Sequence, residues 1–234
     1  MRVLAIGAHP DDIEITCAGT LIKCAKRGDE VFACHLSDGD MGHVEIMPEE
    51  LGKIRREEAR KAGELAGFTV IWGGFHDLDI YADNREARDK VVDIIRRVQP
   101  DLIITHNPDD YMPDHTATSK LVFDASFTAT VPHYPTACGN VPPVVPIYYM
   151  ESNEGMGFEP TDYVDITEEM ELKHKMFVCH ESQVKWLMDH DGVDTSEKME
   201  TFARFRGYQC GVKYAEVFRR CTAGLKMTPE RLLP

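Results

Sequence analysis

The 234-residue sequence predicts an α/β fold: a doubly wound, mostly parallel sheet with helices on both faces and an elaborated C-terminal third. Three observations carry this. Short apolar runs alternate with amphipathic stretches through the first half of the chain, the pattern of strands joined by crossover helices. The runs are apolar throughout, as in a sheet covered on both faces. A chain of this length buries roughly 70% of its unfolded surface, so one core suffices without staples.

In chain order, the apolar run Val3–Ala8 predicts the first strand and the amphipathic stretch from about Ile13 to Arg27 the first helix. Strands follow at Val31–Ser37, Thr69–Trp72 and Asp101–Thr105, separated by helices over about Glu49–Ala66 and Arg85–Val98. Another helix opens near His115. After Ala129 the stretch VPHYPTACGNVPPVVP, with five prolines, reads as a long loop. Strands are expected at Ile147–Met150 and near Tyr163–Ile166, and the tail from Thr167 reads as mostly helical. The methionines and the aromatic residues around Phe123–Phe127 read as core. With no repeat, low-complexity tract or linker, residues 1–234 are expected to form a single domain.

Forty acidic residues against 26 basic ones give a net charge of −14, which repels nucleic acid and anionic membrane surfaces. Seven cysteines, an odd number without a CxxC pair, point to free thiols and a reducing cytoplasm. The N-terminal stretch MRVLAIGAHPDD lacks the features of an export signal, and no apolar run reaches membrane-spanning length. The expectation is a soluble, cytoplasmic protein acting on a small molecule. P-loop, GxSxG and HExxH patterns are absent, which argues against NTP hydrolysis, serine hydrolysis and zincin proteolysis.

In an open parallel sheet, ligands bind beyond the carboxyl ends of strands where strand order reverses. Two segments leave such ends with unusual chemistry: His9-Pro10-Asp11-Asp12 after the first strand, and THNPDDYMPDHTATSK, Thr105–Lys120, after the fourth. Either alone reads equally well as ordinary helix capping. Together they bring His9, Asp11, Asp12, His106, Asp109, Asp110, Asp114 and His115 to one crevice. Adjacent carboxylates beside an imidazole bury poorly, and a divalent cation reverses that cost. Two imidazoles and one carboxylate with an open position suit catalytic zinc, and the same donors accept iron(II), cobalt or manganese. His9 and Asp12 lie three apart across a turn, near enough to share an ion, while Asp11 points elsewhere and is free to move protons. His115 is the third ligand chosen, with His106 left as a supporting or substrate-facing group.

The motifs also carry a family resemblance. AHPDD (Ala8–Asp12), SDGDMGH (Ser37–His43), RREEARKAGELAG (Arg55–Gly67), PDH (Pro113–His115), CHESQ (Cys179–Gln183) and FRGYQCGVKYAEVF (Phe205–Phe218) occur in the order found in PIG-L/LmbE-type zinc-dependent de-N-acetylases. The sequence resembles that family over nearly its whole length. The resemblance implies a Rossmann-like fold, hydrolysis of an N-acetyl group from an N-acetylglucosamine derivative, and a homo-oligomer. It also implies that His9, Asp12 and His115 bind zinc and that Asp11 is the general base.

One departure stands out. The family often places a histidine three residues before its last metal ligand to steady the tetrahedral intermediate, and this chain has Met112, whose thioether donates no hydrogen bond. Loss of such a donor costs about 10²–10³ in turnover, so His180, Tyr111 and His106 are the candidate replacements, with His180 also readable as a half-buried helix residue. Arg55, opening an RxxE pattern with Glu58, is a candidate anchor for a substrate hydroxyl or carboxylate. Asp38, Asp40 and Asp114 are candidates to orient a ligand histidine. Arg204, Arg206, Lys213, Arg219 and Arg220 read as a solvated helix face. Two rival readings are a zinc-dependent hydratase of an unsaturated dicarboxylate, which needs a cation such as Arg55 near the metal, and a non-catalytic metal-binding module.

Overall fold

The computed structural model describes residues 1–152 and 154–234. The first strand, β1 (Arg2–Gly7), is buried on both faces: Val3 and Ala5 enter one core cluster, Leu4 and Ile6 the other. It is followed by α1 (Asp12–Thr16), α2 (Ala18–Lys26), β2 (Glu30–Ser37), α3 (Pro48–Ala66), β3 (Thr69–Phe75), α4 (Arg85–Val98), β4 (Leu102–His106) and α5 (Pro113–Thr128). Then come β5 (Ile147–Met150), β6 (Asp162–Asp165), α6 (Met170–Phe177), α7 (Glu181–Asp191), α8 (Thr195–Cys210), β7 (Ala215–Arg220) and a closing 3-10 turn. Helix ends follow local chemistry. Pro48 and Pro113 open α3 and α5, Asn84 caps α4 by accepting from the Glu86 N–H at 2.8 Å, and Gly67 ends α3 at φ 72°.

The sheet order is β3-β2-β1-β4-β5-β7-β6. Strands β3 to β5 along this order are parallel, and β7 runs antiparallel to both β5 and β6. The chain winds outward from β1 through β2 to β3, then returns to β4 on the other side of β1. Strand order therefore reverses between β1 and β4, and their carboxyl ends frame a crevice. The Pro-rich segment after α5 is organised by the buried Arg96, which donates to the carbonyls of Ala129, Val131 and Tyr134 at 3.0, 2.8 and 3.0 Å.

The doubly wound α/β architecture is as predicted, with specific corrections. The first helix is two, because Cys17 leaves helical geometry at φ −143°. The tail holds a strand, β7, where helix was expected: Gly211 turns the chain at φ 82°, and AEVFRR then pairs between β5 and β6. The basic cluster is consequently no single helix face. Arg206 is buried against Glu151, Arg220 grips Asp162 at 2.7–2.8 Å and Arg219 reaches Asn107, while Arg204 lies at the surface on Glu200. Phe127 is exposed rather than core, as are Met41, Met47, Met156 and Met188, whereas Met150, Met170, Met176 and Met199 are buried. All seven cysteines are free. Among the described residues, no helix is long and apolar enough to cross a membrane.

Candidate active site

The turn after β1 sets the geometry. A Cβ at Gly7 would stand 3.1 Å from the Asp12 Cβ, so glycine lets the chain close tightly over the start of α1. Asp11 sits at φ 108°, left-handed backbone that a residue with a Cβ rarely adopts and that costs of order 1–3 kcal/mol. The turn is closed by the His9 N–H, which donates to Asp12 Oδ2 at 2.7 Å. From the other strand end, α5 brings in His115, whose Nε2 lies 3.2 Å from Asp12 Oδ1, while His9 Nδ1 lies 3.4 Å from Asp12 Oδ2. One donor atom from each of His9, Asp12 and His115 falls within 4.8 Å of the others.

These residues fit a divalent cation. Tetrahedral donors at about 2.0–2.1 Å from zinc stand about 3.3 Å apart, close to the separations seen here. The outward ring nitrogens are braced as metal-binding histidines usually are: His9 Nε2 by Asp77 Oδ1 at 3.1 Å and Asp114 Oδ2 at 3.2 Å, and His115 Nδ1 by Asp110 Oδ1 at 3.1 Å. The electrostatics agree. Burial alone would lower both imidazoles, yet the surrounding carboxylates hold His9 well above its usual range and His115 up at about 9. Burial would raise Asp12, but the imidazoles of His115 and His106 outweigh it and hold the carboxyl well below its usual range. So much buried carboxylate calls for positive charge.

Asp11 is distinct. Burial pushes its carboxyl up to about 6 against the pull of Arg55. Its Oδ2 takes a hydrogen bond from Arg55 Nη2 at 3.1 Å, and the same guanidinium donates to the carbonyls of Pro10 and Gly39. The triad and Asp11 line a cleft of about 590 Å³, with Tyr111 and Met112 on the near side and Gln183 and Trp186 of α7 opposite.

A model of the GlcNAc-PI de-N-acetylase (PIG-L) family matches residues 4–126. The chain belongs to this family. It is 31% identical to the diacetylchitobiose deacetylase of Thermococcus kodakarensis over 235 residues, which cover 93% of this chain and 82% of the relative. The structure of N,N'-diacetylchitobiose deacetylase from Pyrococcus horikoshii, complexed with its inhibitor MPG, superposes with a TM-score of 0.82 at 29% identity, covering 94% of this chain and 83% of that one. GalB, the 4-carboxy-2-hydroxymuconate hydratase of Pseudomonas putida KT2440, shares the fold with a TM-score of 0.81 at 23% identity over 99% of each chain.

Within this PIG-L family member, the remaining candidate residues fall into separate places. Asp114 braces His9 and also accepts the Leu78 N–H at 2.8 Å. Asp40 acts one step further out, holding His76 Nδ1 and the Asp77 N–H at 2.9 Å each, so it positions the turn that carries Asp77. Asp38 instead pairs with Arg56 on α3. Arg55 lines the cleft: its Nη atoms reach Asp11 and the carbonyls of Pro10 and Gly39, while its buried Nε has no hydrogen-bond partner among the described residues. His106 lies beneath the site: it stacks on His115 with centroids 4.0 Å apart and accepts the Ala8 N–H on Nε2 at 2.9 Å. Burial and the neighbouring His115 lower it to about 4. Tyr111 stands at the cleft mouth, 60% exposed and edge-on to His115. His180 is fully buried at the start of α7, not half-buried, with Nε2 3.4 Å from Glu14 Oε2 and neither ring nitrogen hydrogen-bonded.

Sequence patterns alone assign no role to Asp77, no specific partner to Asp110 and no part in the cleft to α7 and α8. Asp110 belongs to the NPDD run that marks the crevice, and its reach to His115 follows from a five-residue separation at a helix start. Asp77 follows β3, and FHDLD resembles any turn until the sheet order is known.

Proposed function

We propose that this protein is a metal-dependent de-N-acetylase that hydrolyses the N-acetyl group of a water-soluble N-acetylglucosamine-type conjugate, working as a single cytoplasmic domain within a homo-oligomer. The observation that carries the reading is a carboxylate, Asp11, fixed by Arg55 beside a His9–Asp12–His115 donor set in one cleft. A divalent cation held by His9, Asp12 and His115, zinc in the first instance, would polarise the amide carbonyl and lower the pKa of water to about 7. The protein's own groups do the rest. Asp11 accepts a proton from the attacking water and returns it to the departing amine nitrogen, and Arg55 fixes its position for both transfers. Asp77 and Asp114 keep the His9 ring turned so that Nδ1 faces Asp12.

Met112 leaves the developing oxyanion without the family's usual donor. Of the three candidate replacements, His106 and His180 are buried outside the cleft lining, whereas Tyr111 is part of it, so Tyr111 is the donor we assign. His180 is then a positioning residue that acts from below, against Glu14. The family relationship to diacetylchitobiose deacetylase supports an acetamido-sugar substrate. Arg55 does line the cleft, as the hydratase reading asks, but the relatives matched at about 30% identity are deacetylases and its Nη2 is turned to Asp11, so hydrolysis is the reading preferred.

The test is elemental analysis of the purified protein followed by acetate and free-amine release from a panel of N-acetylglucosamine conjugates. Asp11→Asn is expected to keep the metal and lose about 10²–10⁴ in turnover. Undiminished turnover in that variant would remove Asp11 from the mechanism, and water addition to an unsaturated dicarboxylate without acetate release would favour the hydratase.

A further inference from the structure

The break between α1 and α2 has an identifiable cause. In a continuous helix the Gly19 and Thr20 N–H groups would donate to the Ile15 and Thr16 carbonyls four residues back. Here one carboxylate takes both: the Gly19 N–H donates to Glu216 Oε1 at 2.9 Å and the Thr20 N–H to Glu216 Oε2 at 2.7 Å. The Ile15 carbonyl, left without its helical partner, accepts from Lys173 Nζ at 2.8 Å, and the same ammonium donates to Glu216 Oε1 at 2.5 Å. An ion pair supplied by α6 and β7 thus stands in the helical ladder where backbone hydrogen bonds would run. Glycine makes room for it: a Cβ at Gly19 would stand 3.0 Å from Glu216 Oε1 and 2.8 Å from Ile166 Cγ2. Lys173 and Glu216 are both buried.

A buried ion pair is weak ground for stability, since apolar residues of similar volume often serve as well or better. What this pair fixes is α1, a helix of five residues whose N-terminal end carries Asp11 and Asp12. Ile15 links the two ends: its carbonyl takes the Lys173 ammonium, and its N–H donates to the Asp11 carbonyl at 2.9 Å. We propose, on the basis of the de-N-acetylase reading, that Lys173 and Glu216 are positioning residues for the reaction. By splitting the helix they set the direction of α1, and with it where Asp11 and Asp12 stand relative to His115. Without the pair, α1 and α2 close into one helix and the turn after β1 moves.

The experiment compares the full-length parent with two variants. Lys173→Met/Glu216→Leu removes both charges and leaves neither unpaired; Gly19→Ala keeps both charges and crowds the carboxylate out of the break. Three quantities are read: zinc affinity by chelator competition, the melting temperature of the metal-free chain, and kcat and KM for acetate release from β-linked N-acetylglucosamine disaccharide. In the double variant zinc should bind about 10–100-fold more weakly and kcat should fall about 10²-fold, with KM little changed and the melting temperature not lowered. Gly19→Ala should move zinc affinity and kcat in the same direction by less. Zinc affinity within about twofold of the parent in both variants, or a loss that appears in both only together with a lowered melting temperature, would leave the pair as packing and overturn the proposal. A parent that binds zinc but releases no acetate would sink the de-N-acetylase reading, while the zinc affinities would still decide the positioning role.

Discussion

The crevice at the ends of β1 and β4 and the opposite wall built by α7 and α8 face each other across one cleft, yet they are held by different physics. In the crevice the candidate ligands are buried: His9, Asp12, Asp114 and His115 are each at most 5% exposed, and the His9 and His115 imidazoles are braced by carboxylates. Its backbone is strained at Asp11 and again at Leu78, which has φ 63°. Buried charge and strain cost stability and persist because surrounding contacts over-determine them. The wall is built differently: α7 buries Gln183 alone among its eleven residues, and Met188 and Val193 are exposed. The candidate catalytic groups are held by buried contacts, while the α7 side of the cleft is lightly packed.

Substitutions at three positions probe this contrast, from the largest expected effect to the smallest. His115→Ala removes a candidate ligand; it is expected to abolish both bound metal, read by elemental analysis, and acetate release. Retention of a full metal equivalent would show that the ion is held elsewhere in the crevice. Asp77→Asn loosens the brace on His9 and is expected to weaken metal affinity by about 10–100-fold in a chelator competition, with the melting temperature of the metal-free protein little changed. An affinity within twofold of the parent would mean that Asp114 alone orients the ring. His180→Ala lies where the two regions meet, at the first turn of α7 and against Glu14 of α1. It is expected to lower turnover about tenfold with metal content intact, and the conservative His180→Gln should recover part of that loss. Native turnover in both would leave His180 as packing beneath the site.

The candidate metal-ligand set is legible in the sequence because each half of it is local. His9 and Asp12 lie on one turn and His115 at one helix start, and the strand-end rule joins the two halves once the βα alternation is recognised. The same locality explains the misreadings. AEVFRR looks like the continuation of a basic helix until it finds partners in β5 and β6, and Arg206 looks solvated until Glu151 closes on it. Arg55 lies at the cleft, as its place in the RxxE pattern suggests, but only the folded chain shows that its charge is directed to Asp11.

By itself, the sequence determined the α/β alternation, the two acidic turns and the candidate ligand types, since these depend on side-chain chemistry within a few residues of one another. The tertiary structure alone decided which carboxylate braces which imidazole, that Tyr111 and not His106 or His180 lines the cleft, and that the rings of His43 and Trp186 pack together. These contacts link residues separated by 105 positions (His9 and Asp114) and 143 positions (His43 and Trp186), and sheet order and helix packing, not local propensity, bring such residues together.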